Sequence, residues 1–256
     1  MNVLNQLEKF YNSYSCEKGI IGNSGKGKPI YYFVIRKTER PVMIVQYAMH
    51  AREYITTYLA MLQIKDFNNR GKVGTVYFVP CVNPDGVEIA LTKNPLYKAN
   101  AFMVDLNVNF DARWGKGEQN VNYKNDQNYI GVCAFSEQES KALRDFTLSV
   151  MPNMTISYHS KGEEIYYSFH QKGKRLKRDK ILADTVAKLT GYNVKQTPNS
   201  CGGYKDWCID KLKIPALTIE VGCDGLTHPI KSIHQAKIFR QNQQVITTLL
   251  DKLTEI

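Results

Sequence analysis

The sequence predicts an α/β protein, a three-layer α/β/α sandwich around a mixed, mostly parallel central sheet. Short apolar runs alternate with helix-period stretches along the chain, as where "VMIVQY" is followed by "EYITTYLAMLQIKDF". The 256 residues are 43% hydrophobic, enough to bury a sizeable core as a single domain over 1–256. No period of about 20 to 50 residues recurs, which excludes a repeat array.

The elements follow in order. An amphipathic helix opens the chain and ends near Tyr14. "IIGNSGKGKPIYYFVI" is a glycine-punctuated turn between two extended runs. "RPVMIVQYAMH" is a buried strand, and "EYITTYLAMLQIKDF" a helix with Tyr54, Leu59, Leu62 and Phe67 partly in phase. "GTVYFVPCVN" is a strand closed by a turn, "NPDG", at Asn83 to Gly86. After an irregular stretch over 109–129, "SEQESKALRDFTLSV" starts a helix with Ser136 as N-cap and Glu139 three residues on. "MTISYHSKGEEIYYSF" alternates extended runs with a turn, and "ILADTVAKLTG" is a helix ended by Gly191. "IPALTIEVG" is a short apolar strand, and "HQAKIFRQNQQVITTLLDKL" a closing helix. In such folds functional residues stand where strands end in loops.

Apolar runs such as "VMIV" and "VYFVP" are far shorter than the roughly 20 residues of a membrane-spanning helix, so no membrane insertion is expected. "MNVLNQLEKFYNSY" lacks the charged start, apolar centre and small-residue cleavage site of a secretory signal; a cytoplasmic protein, or a trimmed exported one, is expected. The six cysteines have no short paired spacing and read as free buried thiols. The net charge of +10 suits an anionic partner. Its densest run, "HQKGKRLKRDK", carries no interleaved aromatics to stack bases, and no nucleic-acid partner is expected.

His50 and Glu53 lie three residues apart where a strand gives way to a helix, and could converge on one ion. Taken alone, the pair also reads as a surface histidine plus an acid favoured by the helix dipole. A catalytic zinc takes three protein ligands and leaves a position for water. His159, in "ISYHSKG", stands at the end of another apolar strand and completes such a set, whereas His170, His228 and His234 sit in polar or helix-surface contexts. Glu220 is a carboxylate on the apolar strand "LTIEVG". It reads as a general base, or else as a salt-bridged structural acid.

With these residues the chain resembles the zinc metallocarboxypeptidase family from "IGNSGKGKPI" to "TIEVG", through "HARE", "NPDG", "DLNVNF", "YHS", "GGYKDW" and "TIEVG" in the family's order. The resemblance implies that His50, Glu53 and His159 hold one zinc ion, which lowers the pKa of a water from 15.7 towards ~7. It implies Glu220 as general base, then acid. The family's oxyanion-stabilising arginine falls in a stretch similar to "NPLYK", where this chain has Lys98.

Three positions depart from the family pattern. The Asn-Arg pair that clamps a terminal carboxylate reads Asn107-Val108, and the mobile tyrosine is replaced by Pro198. The position that reads the substrate side chain is Lys205, which favours a side chain ending in a carboxylate, or is a surface lysine. "GGYKDW" with "HSKGEEIYY" looks like the bacterial branch that cleaves γ-D-glutamyl-diaminopimelate bonds in cell-wall peptides. Meso-diaminopimelate carries a second carboxylate at the far end of its side chain.

The expected function is therefore hydrolysis of the γ-D-glutamyl-meso-diaminopimelate bond of peptidoglycan stem peptides. Lys98 would stabilise the oxyanion, and Asn107 and Lys205 would hold substrate carboxylates. The alternatives are a carboxypeptidase preferring acidic C-terminal residues and a non-catalytic wall-peptide binder.

Overall fold

Eight strands form one sheet in the computed structural model, which describes residues 2–255. They are β1 (Glu17–Asn23), β2 (Pro29–Arg36), β3 (Val42–Tyr47), β4 (Thr75–Val79), β5 (Met154–His159), β6 (Glu164–Tyr166), β7 (Asn193–Lys195) and β8 (Ala216–Glu220). The helices are α1 (Val3–Ser13), α2 (Ile55–Arg70), α3 (Pro84–Thr92), α4 (Gln138–Val150), α5 (Gly173–Thr190), α6 (Tyr204–Trp207), α7 (Gln235–Asn242) and α8 (Val245–Leu253).

The strand order is β1-β2-β4-β3-β5-β8-β6-β7. The central β4, β3, β5 and β8 run parallel. The β1-β2 hairpin joins one side antiparallel, and β6 pairs antiparallel with β8 and parallel with β7 on the other. This is the mixed, mostly parallel three-layer arrangement expected from the alternation of elements.

Side chains alternate between the two faces of each strand. Met43, Val45, Phe78, Ile156 and Leu217 pack with Leu7, Leu59, Leu182, Ile238 and Leu249 of α1, α2, α5, α7 and α8. On the other face Ile30, Val79 and Ala216 pack with Leu143 of α4, Trp207 of α6 and Phe110. Each large apolar side chain so buried contributes about 1.5–3 kcal/mol. Among the described residues no helix is long and apolar enough to cross a membrane.

Several local expectations are corrected. "NPDG" is not a free turn but the start of α3: Asn83 accepts the Gly86 N–H at 3.0 Å, and Pro84 occupies the first turn, where its missing N–H costs nothing. Gly86 is required because a Cβ there would meet the Ala99 carbonyl at 2.4 Å. Glu137, not Ser136, is the N-cap residue of α4, and the Ser136 hydroxyl donates to Glu137 instead. The helix expected from Ile181 begins at Gly173, inside the basic run, and ends as expected at Gly191, whose φ is +77°.

The closing helix is broken into α7 and α8. The Asn242 carbonyl accepts from Gln63 at 3.2 Å, a tertiary bond beside the break that no local pattern announces. In α2 the buried face is Ile55, Leu59, Ile64 and Phe67, with Tyr54 and Leu62 only half-buried. All six cysteines are free; Cys81, Cys201 and Cys208 are buried, but Cys133 is exposed.

Candidate active site

The parallel strands deliver the site residues to one end of the sheet. β3 ends at Tyr47, and Ala48 turns the backbone with φ +48°, a conformation strained for a residue with a Cβ. It is held by the Thr56 hydroxyl, which accepts the Ala48 N–H at 2.9 Å, and by the Ala48 carbonyl, which accepts from Asn83. His50 follows, and a single 3-10 turn, Ala51–Glu53, carries Glu53 back beneath it. His159 is the last residue of β5 and Glu220 the last of β8, and the register pairs them directly.

Three of the expected residues meet in a buried cluster. Glu53 lies 2.9 Å from His50 Nδ1 through Oε1 and 2.9 Å from His159 Nδ1 through Oε2, and the two Nδ1 atoms are 3.1 Å apart. His50, Glu53 and His159 offer ligand atoms all within 4.8 Å of one another. The donor set, two imidazoles and a carboxylate, is one that zinc takes in catalytic sites. His50 Nε2 lies 3.2 Å from Asp105 Oδ1. That bond keeps the proton on Nε2 and turns the Nδ1 lone pair into the cluster, the usual partner of a metal-bound histidine.

The electrostatics agree with this arrangement. Burial opposes the charged form of His50, but Glu53 and Asp105 outweigh it and raise its pKa. Burial also works against the Glu53 carboxylate, yet His50 and His159 hold it well below its ordinary range. Asp105 is likewise held low against burial, chiefly by Lys98 and then by His50. Glu220 goes the other way: loss of solvent, then the Glu53 charge, push it up to about 8. A carboxyl in that range can both take and return a proton near neutral pH.

A cavity of about 430 Å³ opens beside the cluster, lined among others by His50, Lys98, Asn107, Lys205, Thr218 and Glu220. All the expected site residues outside the metal set therefore share one cleft. Lys98 is tied to Asp105 at 2.6 Å and to the Asn128 side chain at 2.9 Å, so its charge is fixed at the cleft wall. Asn107 Oδ1 accepts the Tyr204 N–H at 3.3 Å, which leaves its amide nitrogen for a ligand. Val108 and Pro198 also line the cleft, without charge.

Lys205 is not a surface residue but 6% exposed. α6 carries it there because Gly202, with φ +88°, passes so close to Val108 that a Cβ would meet its carbonyl at 2.7 Å.

Four residues at the site have no role in the sequence reading. Asp105 and Asp206 lie inside the motifs "DLNVNF" and "GGYKDW", and a buried acid between motif glycines or asparagines is itself a signal. Asn128 lies in the irregular stretch, and no pattern marks it. Tyr166 lines the cleft because its strand pairs it with Thr218, with its hydroxyl donating to Glu164. His228, expected in a solvated context, is half-buried, and its pKa is lowered by burial against the opposing pull of Glu53.

Comparison with known proteins adds four findings. A family model described as zinc carboxypeptidase matches residues 2–242. The chain is 28% identical over 265 residues to a γ-D-glutamyl-L-diamino acid endopeptidase 1 of Lysinibacillus sphaericus, covering 89% of this chain and 66% of the relative's length. The match thus spans about two thirds of that relative's length. In fold it matches bovine thrombin-activatable fibrinolysis inhibitor with a TM-score of 0.85 at 20% identity, over 99% of this chain and 94% of the other. It also matches the murein-tripeptide amidase MpaA of Escherichia coli O157 with a TM-score of 0.65 at 22% identity, over 93% of each chain.

Proposed function

The chain belongs to the zinc carboxypeptidase family, and from that premise we propose that it hydrolyses the γ-D-glutamyl-meso-diaminopimelate bond of peptidoglycan stem peptides. The observation that carries this reading is a buried lysine, Lys205, in the same cleft as Glu220 and the His50, Glu53, His159 cluster. A cationic group buried in the wall of a cleft selects a substrate side chain with an anionic end. The activities for which the endopeptidase relative and the murein-tripeptide amidase are named are in keeping with it.

His50, Glu53 and His159 would hold the ion, with Asp105 orienting His50. A bound zinc ion supplies a Lewis acid and lowers the pKa of water. Glu220 takes the proton of the attacking water and delivers it to the leaving amine, so that one carboxyl serves as base and then acid. Lys98 sets a fixed positive charge at the cleft wall to balance the oxyanion. As an ammonium it offers a point charge rather than the planar fork of an arginine. Asn107 donates its amide N–H to a substrate carboxylate.

The second reading, a carboxypeptidase for acidic C-terminal residues, would also use Lys205, but Val108 and Pro198 give it no charged clamp for a terminal carboxylate. A mere binder would gain nothing from Glu220. Mass spectrometry of a zinc-loaded digest decides among them, with L-Ala-γ-D-Glu-meso-diaminopimelate beside α-linked peptides bearing free acidic C-termini. Release of diaminopimelate with the α-linked peptides intact is expected. Trimming of the α-linked peptides instead would establish the ordinary carboxypeptidase, and silence on both would favour the binder.

A further inference from the structure

Two opposite charges, side by side and buried, form part of the cleft wall. Lys205 Nζ lies 2.5 Å from Asp206 Oδ1 and donates to the Ser168 carbonyl at 2.9 Å. Both side chains line the cavity that holds Glu220 and Thr218, and Asp206 is 3% exposed. Asp206 Oδ2 also accepts the Gly203 N–H at 3.1 Å, which fixes the carboxylate against the start of α6.

This pair changes what the cleft selects. A lone buried lysine would accept any side chain ending in a carboxylate. With Asp206 beside it, an incoming carboxylate meets a like charge at close range, on side chains that are themselves buried, which is unfavourable. A side-chain end that carries an ammonium as well as a carboxylate satisfies both partners. Of the three donors on the Lys205 ammonium two are used, and Asp206 keeps acceptor directions beyond its two bonds. For the main chain of the same substrate residue Val108 and Pro198 supply no charge, and Asn107 supplies only a neutral amide. Selection therefore falls on the side-chain end.

Resting on the peptidase reading above, we propose that Lys205 and Asp206 together recognise the zwitterionic end of a diamino-diacid side chain. Lys205 pairs with its carboxylate and Asp206 with its ammonium. The pair thus separates diaminopimelate from residues that have one of the two groups.

The test uses the zinc-loaded chain and three free amino acids: meso-diaminopimelate, 2-aminopimelate, which lacks the distal ammonium, and lysine, which lacks the distal carboxylate. Calorimetric titration should show diaminopimelate binding about 10- to 100-fold more tightly than either analogue, as expected for loss of one charged hydrogen-bonded contact. Asp206→Asn should erase the preference over 2-aminopimelate while keeping that over lysine, and Lys205→Met should do the reverse. Because Asp206 also caps α6, the wild-type comparison and Lys205→Met decide the matter even where Asp206→Asn does not fold. Equal binding of diaminopimelate and 2-aminopimelate overturns the proposal. The same three residues placed after L-Ala-γ-D-Glu and assayed for hydrolysis separate the two readings. Preferential binding without cleavage leaves the pair standing and removes the bond assignment, whereas cleavage of all three at equal rates removes the pair and keeps the peptidase.

Discussion

Glu220 and Asp105 are the two residues whose surroundings say most about the chemistry. Glu220 is raised to about 8 by loss of solvent and by Glu53, and it stands one strand from His159. Glu220→Gln should keep one zinc per chain by metal analysis while kcat falls by roughly 10²–10⁴-fold; unchanged turnover would take Glu220 out of the mechanism. Asp105 touches both His50 and Lys98. Asp105→Asn should weaken zinc binding about 10- to 100-fold in competition with a chromogenic chelator. Wild-type affinity in that variant would mean the backbone alone orients His50. Of these two, Glu220 is legible in the sequence, as a lone acid on an apolar strand, whereas Asp105 takes its role from two neighbours 55 and 7 positions away that only folding brings near.

At the scale of elements, the site rests on the register of β5 and β8, which pairs His159 with Glu220, and the tie between the β1-β2 hairpin and α4 bears on stability. Glu139, in the first turn of α4, accepts the Gly25 N–H at 3.0 Å and is fully buried. Burial raises its pKa, against the opposing bonds from the chain. A carboxyl with a folded pKa above its unfolded value binds more protons when folded, so its contribution is full at low pH and is lost as the pH rises from 4.5 through the folded value. Urea midpoints of the wild type should therefore drop over that window, and Glu139→Gln should flatten the drop. Parallel pH profiles for the two proteins would show that another group carries it. The sequence marks Glu139 only as a capping-box acid. That it tethers a hairpin 114 residues away follows from the packing of α4 against β1.

For the whole molecule the metal set couples activity to stability. His50, Glu53 and His159 come from β3's exit, a 3-10 turn and β5, so one ion would cross-link elements 109 residues apart. An ion at about 1,000 times its dissociation constant adds roughly 4 kcal/mol to the folded state. Chelation should abolish activity and lower the melting temperature, and added zinc should restore both. A melting temperature indifferent to the chelator would place the ion, if bound, outside this cluster.

By itself the sequence determined the layered α/β class and the short list of chemically able residues, because period and motif are local and survive in the unfolded chain. The short motifs that carry His50, Glu53 and His159, the strand end that carries Glu220 and the glycines before Lys205 all lie in such local patterns. The tertiary structure alone decided the break between α7 and α8, the burial of Lys205 and its pairing with Asp206 inside the cleft. Each depends on a partner distant in sequence or on exclusion of water, and neither is encoded by spacing along the chain.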